Sequence, residues 1–215
     1  MASYAVKEMF LTLQGEGRQA GRRAVFVRFA GCNLWSGRET DRAAASCTFC
    51  DTDFVGTDGD GGGRYADAAA LACAVANLWA EGIEAAGGQP FVVMTGGEPL
   101  LQVDEALIAA LHEQGFEIAV ETNGTLLAPA GIDWICVSPK AGTTIVQRAG
   151  DELKIVWPQA GLDMKGMEGW AFRHFLVSPM DGPELRAAET AAIAFVLAHP
   201  RWRLSTQTHK AIGIR

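Results

Sequence analysis

The stretch from Cys32 to Thr52, CNLWSGRETDRAAASCTFCDT, constrains this chain more than any other. Fourteen residues separate Cys32 from Cys47, and two separate Cys47 from Cys50. Three thiolates grouped in this way can hold three corners of a cubane iron–sulfur cluster, for which four cysteines are the usual complete set. No fourth cysteine is near, so the fourth iron would stay open to a small molecule, as a catalytic metal keeps one position open. A structural zinc ion and ordinary thiols are the competing readings. Zinc wants a fourth protein ligand, and no histidine precedes His112, which weighs toward the cluster.

Composition narrows the class. A chain of 215 residues, 49% of them hydrophobic, suits one domain over residues 1–215 with a full core and an insert at about 33–46 in the cluster loop. A net charge of −7 and a pI near 5.1 leave no basic stripe for non-specific nucleic-acid binding. The N-terminal MASYAVKEMF has no signal-peptide pattern, and no run of 18 apolar residues occurs, so no membrane span is expected. Five cysteines are an odd number at low density, which points to a reducing cytoplasm. Cys73 and Cys136 sit in ALACAVANLW and IDWICVS and read as buried small hydrophobes.

Along the chain, strands are expected at 4–13, 24–30, 91–94, 116–120, 132–137, 153–157, 172–177 and 202–205. Helices are expected at 66–79, 103–114 and 184–198, the second closed by Gly115. Gly56 to Gly63, GTDGDGGG, reads as a flexible loop. Several strands end in polar residues: Thr95-Gly96-Gly97-Glu98, Glu121-Thr122-Asn123-Gly124, Ser138-Pro139-Lys140 and Ser178-Pro179-Met180-Asp181. That repetition is expected of a barrel whose site lies at the carboxyl ends of its strands. About six parallel strands and three long helices fall short of the roughly 250 residues of an eight-unit barrel. The fold class is therefore α/β, a partial, open (β/α) barrel with a reduced helix set.

Single residues leave alternatives open. Arg28 interrupts the apolar run AVFVRFA; it either forms an internal ion pair or grips a substrate carboxylate bidentately. Gln14-Gly15-Glu16-Gly17 is an ordinary turn or one whose glycines admit a ligand. Asp51, Thr52 and Asp53 are either cap and turn residues or hard oxygen donors for magnesium. His209 near the C-terminus reads as an exposed histidine.

The cysteine triad followed by GGEP and ETNG resembles the radical S-adenosylmethionine (SAM) superfamily. Most of that superfamily spaces its cysteines CxxxCxxC. The long first gap, with LQGEG at the start and QTHK at the end, resembles the 7-carboxy-7-deazaguanine synthase family of 7-deazapurine (queuosine precursor) biosynthesis, from about residue 4 to Arg215.

The resemblance implies a homodimeric lyase of the same partial barrel. Its [4Fe–4S] cluster sits on Cys32, Cys47 and Cys50 and cleaves SAM to a 5′-deoxyadenosyl radical. The radical takes hydrogen from C6 of 6-carboxy-5,6,7,8-tetrahydropterin, whose ring contracts with loss of ammonia to 7-carboxy-7-deazaguanine. Phe49, Cys50, Asp51, Gly97, Glu98, Glu121, Asn123, Ser138, Pro139, Lys140, Ser178, Pro179, Met180 and Asp181 would contact SAM. Leu13, Gln14, Gly15, Glu16, Arg28, Thr95, His209 and the terminal carboxylate of Arg215 would bind substrate, which fits a chain ending at that residue. Thr52 would hold Mg²⁺ against the substrate carboxylate, and an electron donor such as flavodoxin or ferredoxin would serve the cluster. A glycyl-radical activase is a second reading, although activases favour the short cysteine spacing. A non-catalytic metal-binding module is a third, but it has no need of polar residues at successive strand ends.

Overall fold

A computed structural model describes residues 3–84 and 87–214. Among the described residues nine strands form one sheet: β1 (Tyr4–Leu13), β2 (Arg23–Phe29), β3 (Gly63–Tyr65), β4 (Phe91–Gly96), β5 (Glu117–Thr122), β6 (Trp134–Val137), β7 (Ala149–Trp157), β8 (Ala171–Pro179) and β9 (Trp202–Leu204). Their order is β3-β1-β2-β4-β5-β6-β7-β8-β9. From β2 to β9 every neighbouring pair is parallel, whereas β1 lies antiparallel to both β2 and β3. The helices are α1 (Ala68–Ala80), α2 (Glu105–Glu113), α3 (Met164–Met167), α4 (Leu185–Ala198) and α5 (Thr208–Ile212). This is the open barrel with few helices that the strand-end pattern implies. No helix among the described residues is long and apolar enough to cross a membrane.

The two faces of the sheet divide by residue parity, as a period of two requires. On β4, Val92 and Met94 join the core under the helices, while Phe91 and Val93 pack with Ala24 and Ala119 inside the barrel. On β7, Leu153 and Ile155 pack with β8, β9 and α4, while Lys154 and Val156 line an interior cavity. On β1 the parity changes. Tyr4 and Val6 face the helical core, as do Met9 and Leu11, because the register with β2 slips between Val6 and Glu8. A bulge of this kind turns a strand's later side chains over, and it explains why residues 4–13 alternate only weakly.

The three long helices begin and end within two residues of where the sequence places them. Asp67 accepts a bond from the Ala70 amide at 2.9 Å and Asp104 one from Leu107 at 3.0 Å, each capping its helix. Asp104 also accepts the Tyr4 hydroxyl at 2.7 Å, which ties β1 to α2.

Two expectations are corrected. The glycine-rich segment 56–63 lies along β1: the Gly59 amide bonds Lys7 O at 2.9 Å, the Met9 amide bonds Asp60 O at 2.7 Å, and Gly63 itself opens β3. A segment with sheet partners is held in place whatever its composition. Cys73 is exposed because it falls on the outer side of α1, whereas Leu71, Ala72 and Val75 are buried; Cys136 is buried as expected.

Candidate active site

Two cavities open at the carboxyl ends of the parallel strands. The first, of about 380 Å³, is lined by the turn after β1 and by side chains of β1 and β2. Leu13, Gln14, Gly15, Glu16, Arg28, Thr95 and His209 all border it. The second, of about 200 Å³, is bordered by Cys32, Cys47 and Cys50. Phe49, Asp51, Gly97, Asn123, Ser138, Lys140, Ser178, Pro179, Met180 and Asp181 also line it. Glu16, Asp51, Thr52, Thr95, Glu121 and Gln207 border both, so the two spaces share a wall.

The cysteine-bearing loop is held by its neighbours. A Cβ on Gly97 would lie 2.1 Å from Gly31 O and 2.8 Å from Cys32 Cβ, so only glycine lets the end of β4 pass the loop here. Asn123 donates to Asn33 Oδ1 at 2.9 Å, linking the end of β5 to the residue after Cys32. Glu39–Ala44 form a 3-10 helix. From it Arg42 donates to Thr48 O at 2.9 Å and Cys50 O at 3.1 Å, while its guanidinium lies 4.0 Å from the Trp35 ring centre. Trp35 packs edge-on against the fully buried Phe54.

Burial pushes the Cys32 thiol up. In the Cys47–Cys50 pair the bond from Cys47 lowers Cys50, so one thiol of the pair stabilises the other as thiolate. Burial lowers Lys140, which donates to Ser138 O at 2.7 Å and Ser138 Oγ at 2.8 Å. Among the described residues no three His, Cys, Asp or Glu side chains converge on one ion. Three thiols bordering one cavity are the soft donor set that an iron–sulfur cluster takes.

On the first cavity's side, Arg28 and Thr95 are register partners on β2 and β4. Arg28 takes part in an internal ion pair, Nε to Glu8 Oε1 at 2.8 Å, and also borders the cavity. The two readings of this arginine are thus compatible. The QGEG turn is fixed by protein groups: Gly17 N donates to Ser205 Oγ at 2.9 Å and Thr208 N to Gly15 O at 2.9 Å. A Cβ on Gly15 would meet His209 Nδ1 at 2.0 Å, so the glycine there admits His209. His209 is half-buried, not exposed, because α5 docks on this turn.

The hard-donor trio is divided. Asp53 pairs with Lys7 at 2.9 Å and Asp51 with Lys210 at 2.8 Å. Thr52 Oγ1 lies 3.4 Å from Asp51 Oδ1 in the shared wall.

Two of the residues expected at SAM border neither cavity. Glu98 is fully buried behind the second cavity. Its carboxylate accepts bonds from Leu100 N at 3.0 Å, Thr122 Oγ1 at 2.8 Å and Asn123 N at 2.8 Å. Burial raises it, and those three donors oppose the rise. The glutamate therefore staples the ends of β4 and β5. Pro139 is buried and borders neither cavity, its neighbours Ser138 and Lys140 doing so instead. Arg215 lies outside the described residues.

Other residues of the site carry weaker sequence signals. Phe10 and Phe26 stack at 5.8 Å and border the first cavity. Lys154, inside the apolar run Leu153–Trp157, shows the same interruption as Arg28. Its ammonium lies 2.7 Å from Glu16 Oε2 and 3.2 Å from Glu121 Oε2. Gln207 donates to Glu16 Oε1 at 2.9 Å, and Gln14 to Glu121 Oε1 at 3.0 Å. Burial alone would push Glu16 up, but the Lys154 charge and its hydrogen bonds hold it down at about 2.

Residues 40–154 match the profile of the radical SAM superfamily. The chain is 63% identical to the 7-carboxy-7-deazaguanine synthase of Bradyrhizobium diazoefficiens, over 99% of this chain and 100% of that protein. It is 62% identical to the synthase of Bordetella pertussis, over 99% of each. The crystal structure of QueE from Escherichia coli superposes with a TM-score of 0.71 at 26% identity, covering 96% of this chain and 95% of that one.

Proposed function

The chain belongs to the 7-carboxy-7-deazaguanine synthase family of radical SAM enzymes, which acts in 7-deazapurine and queuosine biosynthesis, and on that premise we propose that it converts 6-carboxy-5,6,7,8-tetrahydropterin to 7-carboxy-7-deazaguanine with loss of ammonia. The observation that carries this reading is the wall shared by the two cavities. A hydrogen-abstraction reaction needs its two reactants in adjoining spaces, held close and kept from water.

In this reading the second cavity takes the cofactors. Cys32, Cys47 and Cys50 hold a [4Fe–4S] cluster, and Phe49, Asp51, Gly97, Asn123, Ser138, Lys140, Ser178, Pro179, Met180 and Asp181 surround SAM. When bound, cluster and SAM together supply a hydrogen-abstracting radical. The remaining tasks fall to the chain: to orient the pterin and exclude water.

The first cavity takes the pterin. Arg28 faces its carboxylate, since a planar guanidinium matches a carboxylate's two oxygens. Leu13 and Gly15 offer backbone groups, and Gln14, Glu16, Thr95 and His209 offer side chains, to the ring's amino and N–H groups. Glu121, in the wall between cavities, serves the pterin side as well as the SAM side. Thr52 contributes one oxygen ligand to Mg²⁺, with the substrate carboxylate and water completing a set of oxygens that this ion accepts. Closure is the work of α5: Lys210 bonds Asp51 at 2.8 Å and Asp181 at 2.6 Å, spanning the mouth from the cluster loop to the end of β8.

The family likeness also supports a single catalytic domain over residues 1–215, a homodimer, and reduction by a small electron carrier such as flavodoxin or ferredoxin. The test is anaerobic. The protein is reconstituted with iron and sulfide, reduced, and given SAM, Mg²⁺ and 6-carboxy-5,6,7,8-tetrahydropterin. The deazapurine, identified by mass, is the expected product. SAM cleavage without that product would overturn the substrate assignment.

A further inference from the structure

Lys154 is a buried ammonium bordering the second cavity, set between two carboxylates, Glu16 and Glu121, of the wall that both cavities share. It projects from β7 on the barrel-interior side, with its own side chain only 6% exposed. Glu16 reaches it from the turn after β1, and Glu121 from the carboxyl end of β5. Each of the four carboxylate oxygens accepts a hydrogen bond: Glu16 from Lys154 and Gln207, Glu121 from Lys154 and Gln14.

We propose that Lys154 is a positioning residue that keeps Glu16 and Glu121 together as two carboxylates, so that the wall presents acceptors to the N–H donors of the substrate's ring. The inference rests on the pterin reading above, because a tetrahydropterin carries an amino group and ring N–H groups that need acceptors. Two carboxylates bound to one partner and half-buried repel each other, and without a cation one of them takes up a proton. A protonated carboxyl would present a donor where the ring also presents one. Lys154 prevents this without touching the substrate. The other titratable groups around it are Glu152 on its own strand, Cys136 on β6, Lys140 after β6 and, through Glu16, His209 on α5. Burial raises the carboxyl of Glu152 and lowers the ammonium of Lys140, and Lys140 donates to Ser138 O and Ser138 Oγ, away from the two carboxylates.

The experiment uses the cluster-loaded enzyme at saturating SAM and measures KM for the pterin and kcat between about pH 6.5 and 8.5, a range chosen to bracket a shared proton. Lys154→Met is expected to raise KM ~10-fold or more, with kcat changed less than about threefold, as loss of a substrate-orienting contact does. Its KM should also rise as the pH falls, where the wild-type value stays flat. Lys154→Arg, which keeps the charge, should restore the flat profile. Infrared difference spectra should show one more protonated carboxyl in Lys154→Met than in wild type, and that band should vanish in the Lys154→Met, Glu16→Gln double variant.

A KM effect that ignores pH, or the absence of the extra carboxyl band, overturns the proposal and leaves Lys154 a packing residue. Should Lys154→Met fail to assemble, Lys154→Arg decides: a pH profile unlike wild type overturns the proposal, and a flat one upholds it. Failure of the wild type to turn over this pterin would sink the substrate reading instead, while the infrared result would still report on the charge that Lys154 maintains.

Discussion

Arg28 and Lys154 are both cations inside apolar strand runs, and the sequence marks them equally. Burying a charge without a partner is costly, so each must have found carboxylates. Arg28 found one, Glu8, and borders the first cavity; Lys154 found two, in the wall between cavities. The partners were not legible because Glu8, Glu16 and Glu121 reach these cations across the sheet, and no local spacing announces that. Arg28→Ala should therefore raise the pterin KM by ~10-fold or more, as loss of a charge-assisted bidentate contact does. Reductive cleavage of SAM, followed as methionine release without pterin, should change little. Equal losses in both reactions would place Arg28 in the scaffold. Thr52→Ala should leave iron and sulfide content intact and remove most of the response of turnover to added Mg²⁺. A Mg²⁺ titration that matches wild type would take Thr52 out of that role.

At the scale of elements, the strand ends were the most legible part. Apolar runs closed by polar residues marked where β4, β5, β6 and β8 stop, and residues at each of those ends border a cavity. What sequence could not decide is which end residue faces the cavity and which faces its neighbour. Glu98 is the clear instance, turned away to accept three bonds from the ends of β4 and β5. Glu98→Gln puts one amide N–H against a backbone N–H and should cost about 1–3 kcal/mol, measured as a lower urea midpoint of the cluster-free chain. An unchanged midpoint would mean that the staple contributes nothing. The glycines of the QGEG turn were legible as a need for close approach, but what approaches Gly15 is His209 of the protein itself. Gly15→Ala should push α5 off the turn. Faster amide exchange over residues 208–212 with a raised pterin KM is the expected result, and unchanged exchange would show that the turn yields instead.

Over the whole molecule, seven parallel strands carry the site, and an antiparallel edge of β1 and β3 closes one side. The parallel set was readable from the polar residues that close successive strands, whereas the direction of β1 was not, because antiparallel pairing is set by a partner and a register that pattern alone does not supply. That edge has an energetic consequence. The turn after β1 crosses to β7 through Glu16 and Lys154, so one ion pair ties the two sides of the open barrel together. The sign of its pH dependence follows from Glu16, held at about 2 in the fold against an ordinary value near 4.5. A lowered carboxyl contributes stability that is complete above its unfolded value and is lost as pH falls through the folded one. Lys154 is shifted upward, so its share is complete below its unfolded value and is lost only in strong alkali. The pair should therefore act at full strength at neutral pH and weaken between about pH 4.5 and 2. Glu16→Gln should be less stable than wild type at pH 7, by urea unfolding of the cluster-free chain, and the gap should narrow toward about pH 3 as the carboxyl of the unfolded wild-type chain takes up its proton. A gap that stays constant across that interval would show that the two sides of the barrel are joined by packing and not by this charge.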